Sequence, residues 1–395
     1  KTWIYVAHES ELREPGDFKT AHLGTQPVIV TRGDDMRIHV FANRCVHRGA
    51  AVCRERSGNA RVFVCPYHSW SFDLTGRLTG IPGRDDAGGY GPDFEQPEGL
   101  ARIPRVESYR GFIFACASDD VVPLETYLAG GAAQLIDRKL AQAPAGTISL
   151  RGAPFIGVYQ GNWKLEAENI VDGYHFMHTH RAFVSLQSKY GDSTGDFGVH
   201  KGDNAAKMRR NRMLGNVLAS RYGHGINQKP TPDLESLFIG NYAAYYFQLR
   251  ELHGEDELKW VVGAGAGCIF PNFGIIHNQL RVWRPIGPDL TEVTIYPYSL
   301  DGAPDSFNEG MLRSHERFYG PAGYGATDDV EVFALNQQGL AATLSDWIIL
   351  ERGMHAETVL PSGEIEGRPS SETVHRAFWR RWRELMSAEP EGSHV

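Results

Sequence analysis

Cys45-Val46-His47 is followed after seventeen residues by Cys65-Pro66-Tyr67-His68, so two separate loops each present one thiolate and one imidazole. Loops that share one metal centre must be brought together by the strands that carry them, which demands a small β scaffold with the intervening hairpin closing it. The spacing admits two centres: a tetrahedral zinc, or a [2Fe–2S] cluster with both thiolates on one iron and both imidazoles on the other. The five cysteines, at 45, 53, 65, 116 and 268, are odd in number and widely spread, which fits a reducing compartment better than a disulfide framework. Cys53 lies between the loops but has no place in the pattern and reads as an inert or partly exposed thiol.

The rest of the first 122 residues reads as short strands, at Trp3–Val6, Pro27–Thr31, Arg37–Ala42, Arg61–Cys65, Ser69–Asp73 and Gly111–Cys116, with turn residues between them. Gly80 to Glu98, rich in Gly, Pro and Asp, suits an irregular loop. An all-β domain over 1–122 and a second domain over 123–395 are expected. The second begins with helices near Leu124–Ala129 and Ala132–Ala141 and a strand near Thr147–Val158. Spacings of three and four at Leu165, Glu168 or Asn169, Asp172, Phe176 and Thr179 predict a helix from Asn162 to His180. The polar stretch 192–232 suggests a lid or loop-and-helix excursion. Strands are predicted at Phe238–Leu249, Leu258–Phe270, Gly274–Pro285 and Glu292–Ser299, then helices at Asp305–Tyr319 and Asp328–Gly339, and an amphipathic C-terminal helix carries Val374, Phe378, Trp382 and Leu385. Four strands in succession flanked by helices point to an antiparallel α+β domain.

Inside the predicted 162–180 helix, Asp172, His175, His178 and His180 gather three imidazoles and a carboxylate within nine residues. On these residues alone a metal site and a polar helix face are both admissible. Asp328 and Asp329, at the start of a later helix, fit helix N-terminal caps.

The flanks distinguish these options. Cys45-Val46-His47-Arg48-Gly49 and Cys65-Pro66-Tyr67-His68-Ser69-Trp70-Ser71-Phe72-Asp73-Leu74-Thr75-Gly76 closely resemble the Rieske signature. Asn162-Trp163-Lys164 ahead of the histidine cluster, and Gly320-Pro321-Ala322-Gly323 ahead of Thr327-Asp328-Asp329-Val330-Glu331, extend the likeness. The whole resembles the large (α) subunit of Rieske non-haem iron ring-hydroxylating oxygenases. That resemblance implies an all-β Rieske domain followed by a helix-grip catalytic domain of the START/Bet v1 type. It implies a [2Fe–2S] cluster on Cys45, His47, Cys65 and His68, and Fe(2+) on a facial triad of His175, His180 and Asp329, chosen over Asp328, with His178 a bystander. Two histidines five apart lie about 140° apart on an ideal helix, so the helix end must distort or the side chains converge from different directions. Asp172 would bridge His175 to a Rieske histidine, His68, of a neighbouring subunit, which makes a ring-shaped oligomer part of the mechanism. Asn169 would help shape the same face. Imidazoles in place of two thiolates raise the cluster potential to roughly −150 mV or above, against about −400 mV with four cysteines.

The implied activity is a terminal oxygenase that uses O2 and electrons from a separate NAD(P)H-dependent reductase, directly or through a ferredoxin, to hydroxylate a small aromatic ring. Gly263, Gly265 and Gly267 do not form a dinucleotide fingerprint, so the reductase must be another protein. The opening Trp3–Glu11 run and Pro15–Phe18 look most like the branch acting on benzoates, which implies cis-dihydroxylation and an α3β3 assembly with a small β subunit, or an α3 trimer. Aromatic-ring monooxygenation of the salicylate-hydroxylase type is the alternative; a Rieske electron carrier without oxygenase activity and a zinc scaffold are readings from other classes. An acid substrate calls for a buried cation or several donors in the pocket, and Arg250, Arg281, Arg284 and His277 are the candidates. A formal charge of −8, from 40 basic and 48 acidic residues, gives no support to nucleic-acid binding. The most apolar run, Trp260–Phe270, is too short for a membrane span, and a cytoplasmic protein is expected. The first residue is Lys1, which leaves room for a preceding segment, a targeting signal included.

Overall fold

The computed structural model describes residues 1–150, 152–190, 207, 210–211 and 213–387. The chain divides into two compact units, Lys1–Leu124 and Glu125–Val395.

The first unit is built from β-sheet. Ile4–His8, Phe112–Cys116 and Arg105–Tyr109 form one antiparallel sheet, and Ile38–Ala42, Gln26–Arg32, Asp17–Leu23 and Ser57–Asn59 form a second. Phe63–Val64, Ser71–Phe72 and Leu78–Gly80 form a third, smaller one. The strand Phe112–Cys116 is buried along its whole length because it is the middle strand of its sheet. Asp17–Leu23 and Arg105–Tyr109 were not among the strands predicted; their charged and polar residues mask the pattern. Gly80 to Glu98 is irregular after its first residue, as its turn-forming composition indicates.

The second unit is organised by a ten-stranded antiparallel sheet. From Ile148–Leu150 it runs through Leu290–Leu300, Gln279–Gly287, Phe273–Ile276, Ala264–Ile269, Gly225–Lys229, Asn216–Ala219, Ile365–Gly367 and Thr358–Val359, while Phe155–Gln160 also pairs with Leu290–Leu300. Helices lie on both faces. A Cβ at Gly267 would come within 2.3 Å of Leu135 in the helix Gly131–Ala141, so that helix can lie against the sheet only where the strand has no side chain. Tyr159, Ile170, Cys268, Trp283, Ile295, Phe333 and Phe378 pack together, joining the other face to the helices Trp163–Asn169, Ala326–Gly339 and Thr373–Ser387. Among the described residues, no helix is long and apolar enough to cross a membrane.

Several expectations are corrected. Phe238–Leu249, rich in aromatic residues of high strand propensity, is instead mostly the helix Ala243–His253, because Tyr245 and Leu249, four apart, supply its buried stripe. The strand expected from Leu258 starts only at Ala264, because Glu255–Val261 is helical, with Glu255, Asp256 and Glu257 favourably placed at its N-terminus. The strand Gly274–Pro285 is really two, with a hairpin turn at His277 and Asn278. The 192–232 excursion falls partly outside the described residues, and its described end contains the paired strands Asn216–Ala219 and Gly225–Lys229. The single 162–180 helix is broken into Trp163–Asn169 and Phe176–Thr179, with a turn between.

His224 carries a pH dependence. Its Nε2 lies 2.8 Å from the Tyr127 carbonyl, and its Nδ1 accepts the Phe270 N–H at 3.1 Å, so the ring is held neutral with its hydrogen on Nε2. Burial pushes its pKa from 6.5 down to about 4. Below pH 6.5 the unfolded chain binds a proton that the folded chain refuses, so this contribution to stability is complete above 6.5 and declines until the pH reaches about 4. One such group costs on the order of 3 kcal/mol across that window. Urea unfolding followed by tryptophan fluorescence between pH 7.5 and 4.5 should show the decline, and His224→Gln should flatten its slope.

Candidate metal centres

In the first unit, the two Cys–His loops fold alike although one is a residue longer between its ligands. Cys45 N–H donates to the Ala50 carbonyl at 2.8 Å and Gly49 N–H to the Cys45 carbonyl at 3.0 Å. The second loop repeats this with Cys65 N–H to Trp70 at 2.8 Å and Ser69 N–H to Cys65 at 3.0 Å. Gly49 and Ser69 both adopt the left-handed conformation, at φ 77° and 59°, which turns each loop back after its histidine. Asn43 braces the first loop, accepting the Val52 and Cys53 N–H groups through Oδ1 and donating to the Cys53 carbonyl. Cys53 is buried in the same core, with its thiol toward the Glu55 carbonyl.

The two halves of the centre differ as the donor chemistry requires. Cys45 and Cys65 are buried. Burial, then the Cys65 thiol beside it, holds the Cys45 thiol above its usual pKa, despite N–H groups of His47 and Arg48 directed at its sulfur. The His47 and His68 rings lie 4.6 Å apart, and His47 stacks on Trp70 at 4.8 Å. His47 Nδ1 is buried with no hydrogen-bond partner, an imidazole nitrogen placed for a metal rather than a protein group. Among the described residues, three donors within 4.8 Å of one another occur at His175, His180 and Asp329, not among these four. The loops thus separate a thiol pair from an imidazole pair, which fits a two-iron cluster and not one tetrahedral ion.

In the second unit, the broken helix answers the geometric problem of histidines five residues apart. His175 and His180 flank the single turn Phe176–Thr179, and His180 leaves helical geometry at φ −93°, ψ 30°. Gly173 sets the approach: a Cβ there would meet the Pro369 carbonyl oxygen at 2.1 Å, so only glycine lets the chain turn between Asp172 and His175. Asp329 comes from the helix Ala326–Gly339, where the N-cap position is Gly325 and both aspartates lie in the first turn.

The three groups converge. Asp329 Oδ1 lies 3.1 Å from His180 Nε2 and 3.6 Å from His175 Nε2, and Asn169 Nδ2 lies 3.3 Å from the same oxygen. Each histidine has an acid behind it: Asp172 Oδ2 is 3.4 Å from His175 Nδ1, and Asp328 Oδ2 is 3.3 Å from His180 Nδ1. With His180 Nδ1 within hydrogen-bond distance of Asp328 and the Asp172 carboxylate behind His175, the Nε2 atoms of both rings face the Asp329 oxygen, an arrangement that a cation or a proton completes. Burial would raise the Asp172 carboxyl, but its hydrogen bond with His175, together with the charges of His175 and His375, outweighs this and holds it below the usual carboxylate range. His178 is exposed beside Tyr174 and is not among the three converging groups. Asp328, readable from sequence only as a cap or rival ligand, proves to be the partner of His180.

The triad opens into a cavity of about 120 Å³ walled by Phe176, Ile276, Phe318 and Tyr319. Of the four candidate cations, Arg281 and His277 line it. Arg250 is exposed and lies over Phe238 and Phe247, and Arg284 pairs across the sheet with Glu292 at 2.8 Å.

Comparison with known proteins agrees with both halves. Residues 2–106 match the Rieske [2Fe-2S] domain family, and residues 141–388 match the ring hydroxylating alpha subunit catalytic domain. The large subunit of 2-halobenzoate 1,2-dioxygenase from Burkholderia cepacia is 33% identical over 360 residues, 89% of this chain and 75% of that one. The alpha subunit of toluate 1,2-dioxygenase from Pseudomonas putida is 34% identical over 353 residues, 86% and 74% of the two chains. A naphthalene 1,2-dioxygenase solved with indole in its active site superposes with a TM-score of 0.84 at 28% identity, covering 98% of this chain and 87% of that one.

The geometry separates the two adjacent aspartates by experiment. Asp329→Ala should lose mononuclear metal while keeping the cluster signal in electron paramagnetic resonance. Asp328→Asn should keep the site but weaken metal affinity by about 10–100-fold, as expected for a partner of a ligand rather than a ligand. Iron analysis after graded chelation measures both.

Proposed function

The chain belongs to the family of ring-hydroxylating oxygenase large subunits, and from that premise we propose that it is the oxygenase converting a single-ring aromatic acid of the benzoate class to its cis-dihydrodiol. Enzymes of this family carry a Rieske cluster and a mononuclear iron, and they work with a reductase and often with a β subunit. The observation that carries the proposal is one chain with a split thiol–imidazole centre and an acid-backed His175–His180–Asp329 triad open to an apolar cavity. The iron and the cluster, when bound, supply oxygen activation and one-electron delivery.

The protein's own residues supply the rest. Cys45, His47, Cys65 and His68 are the proposed cluster ligands, and His175, His180 and Asp329 the proposed iron ligands. Asp172 and Asp328 hold the two imidazoles in the tautomer that leaves Nε2 free to coordinate. Three protein ligands would leave further coordination positions of a bound iron for oxygen. Phe176, Phe318 and Ile276 exclude water and offer flat apolar walls to a ring. The cavity volume, about 120 Å³, is of the order of the roughly 150 Å³ apolar cavity that takes up benzene, which supports one ring rather than a fused pair. The benzoate class is supported by the two relatives named for 2-halobenzoate and toluate, at 33% and 34% identity. We assign Asp172 a second part, as the group through which the electron reaches His175 from His68 of the partner subunit, in an α3 or α3β3 ring.

Anaerobic analysis should return about three irons and about two acid-labile sulfides per chain, with a Rieske paramagnetic signal. With a reductase and NADH, benzoates should yield a cis-dihydrodiol incorporating both atoms of labelled O2. Zinc without sulfide would overturn the oxygenase reading. A phenol carrying one labelled oxygen would replace dihydroxylation with monohydroxylation.

A further inference from the structure

We propose that Arg281 is the residue that selects an aromatic carboxylate, its guanidinium donating to the substrate's carboxylate oxygens while Glu166 and Tyr319 hold it in place; this rests on the benzoate-class reading of the site. Along the strand Gln279–Gly287, strict alternation turns Gln279, Arg281 and Trp283 to one face, and all three are buried. Arg281 lines the same cavity as the triad. Its Nη1 donates to Glu166 Oε1 at 2.5 Å, and its Cζ lies 4.7 Å from the centre of the Tyr319 ring, which also lines the cavity. The ion pair and the ring contact constrain the guanidinium on two sides.

What the pair leaves over points to a ligand. Arginine carries five N–H donors in a planar fork, and Arg281 Nε is buried with no hydrogen-bond partner. A desolvated donor left unpaired is costly, and a buried ion pair is itself poor at stabilising a fold. A carboxylate has the two oxygens and the planar shape that complete the fork. Arg250 and Arg284 do not line the cavity, Arg250 being exposed and Arg284 paired with Glu292. Lys229 and His277 also line it and are the rival groups.

The test uses the reconstituted holoenzyme and two substrates of nearly equal shape, benzoate and neutral benzamide. Removing Arg281 alone would strand Glu166, so the principal variant is the double substitution Glu166→Gln with Arg281→Gln, whose iron and cluster content are checked against the wild type. We expect its KM for benzoate, and its calorimetric benzoate affinity, to worsen by about 100-fold, with the benzamide KM within about twofold of wild type. Arg281→Lys, which keeps the charge but not the fork, should recover part of the loss. Unchanged benzoate binding, or equal losses on both substrates, would overturn the assignment while leaving the oxygenase reading intact. Loss of acid preference in Lys229→Met but not in the double variant would transfer the role to Lys229 and overturn it too. A wild-type enzyme that oxidises benzamide but no benzoate would overturn the substrate reading itself.

Discussion

Two imidazole nitrogens and a carboxylate oxygen converge inside a largely buried site. That arrangement is unfavourable without a positive charge at its centre, and much of the second unit serves to impose it. Asp172 and Asp328 fix the ring orientations from behind, and Asn169 reaches Asp329 from the side. The helix that supplies Asn169 is tied to the core through Leu165, Ala167 and Ile170, and the helix that supplies Asp329 through Phe333. A cation here balances an electrostatic strain that packing has already set, so metal binding and local order are coupled.

The same logic explains the Rieske loops. Each reverses through a residue at positive φ four places after its cysteine, Gly49 in one and Ser69 in the other. The two loops therefore offer their donors with near-symmetric backbones, while the extra residue in Cys65-Pro66-Tyr67-His68 adjusts the second histidine to its partner. Trp70 stacked on His47 and Arg48 over Tyr67 cover the imidazole side with aromatic surface, and the thiols sit inward in the core. Burial on one side and ring packing on the other separate the ligand pairs more firmly than sequence spacing does.

What could be read in advance follows from how local the information is. The Cys–His loops and the His175–His180 segment are short motifs whose residues carry their own chemistry, and the helices Asp305–Tyr319 and Ala326–Gly339 show clear helical signals. Asp329 could be matched by motif to a distant turn, but the division of labour between it and Asp328 depends on which carboxylate is buried, a property of packing. The side chain of Asp329 is 9% exposed and that of Asp328 37%. Aromatic propensity misdirected the segment from Phe238, where tertiary burial of Tyr245 and Leu249 overrode it. Alternation along Gln279–Gly287 was visible, but its inward face was not, because arginines occur on both faces; the partners Glu166 and Glu292 distinguish them only in three dimensions.

That distinction bears on how a substrate would be oriented. Asp172, Asp328 and Asp329 place three carboxylates around His175 and His180, so the metal end of the cavity is rich in acids. Lys229 and Arg281 both line the cavity, and Arg281 is the one whose charge Glu166 offsets while its buried Nε has no hydrogen-bond partner. A benzoate entering this field meets repulsion from the acids and a directional donor at the arginine. The proposed contact would seat the carboxylate at the guanidinium and leave the rest of the ring for the triad. The apolar walls fix the plane of the ring, and the charges fix its direction. On that proposal the placing of Arg281 relative to the triad, more than the metal, would set which ring carbons are offered to oxygen.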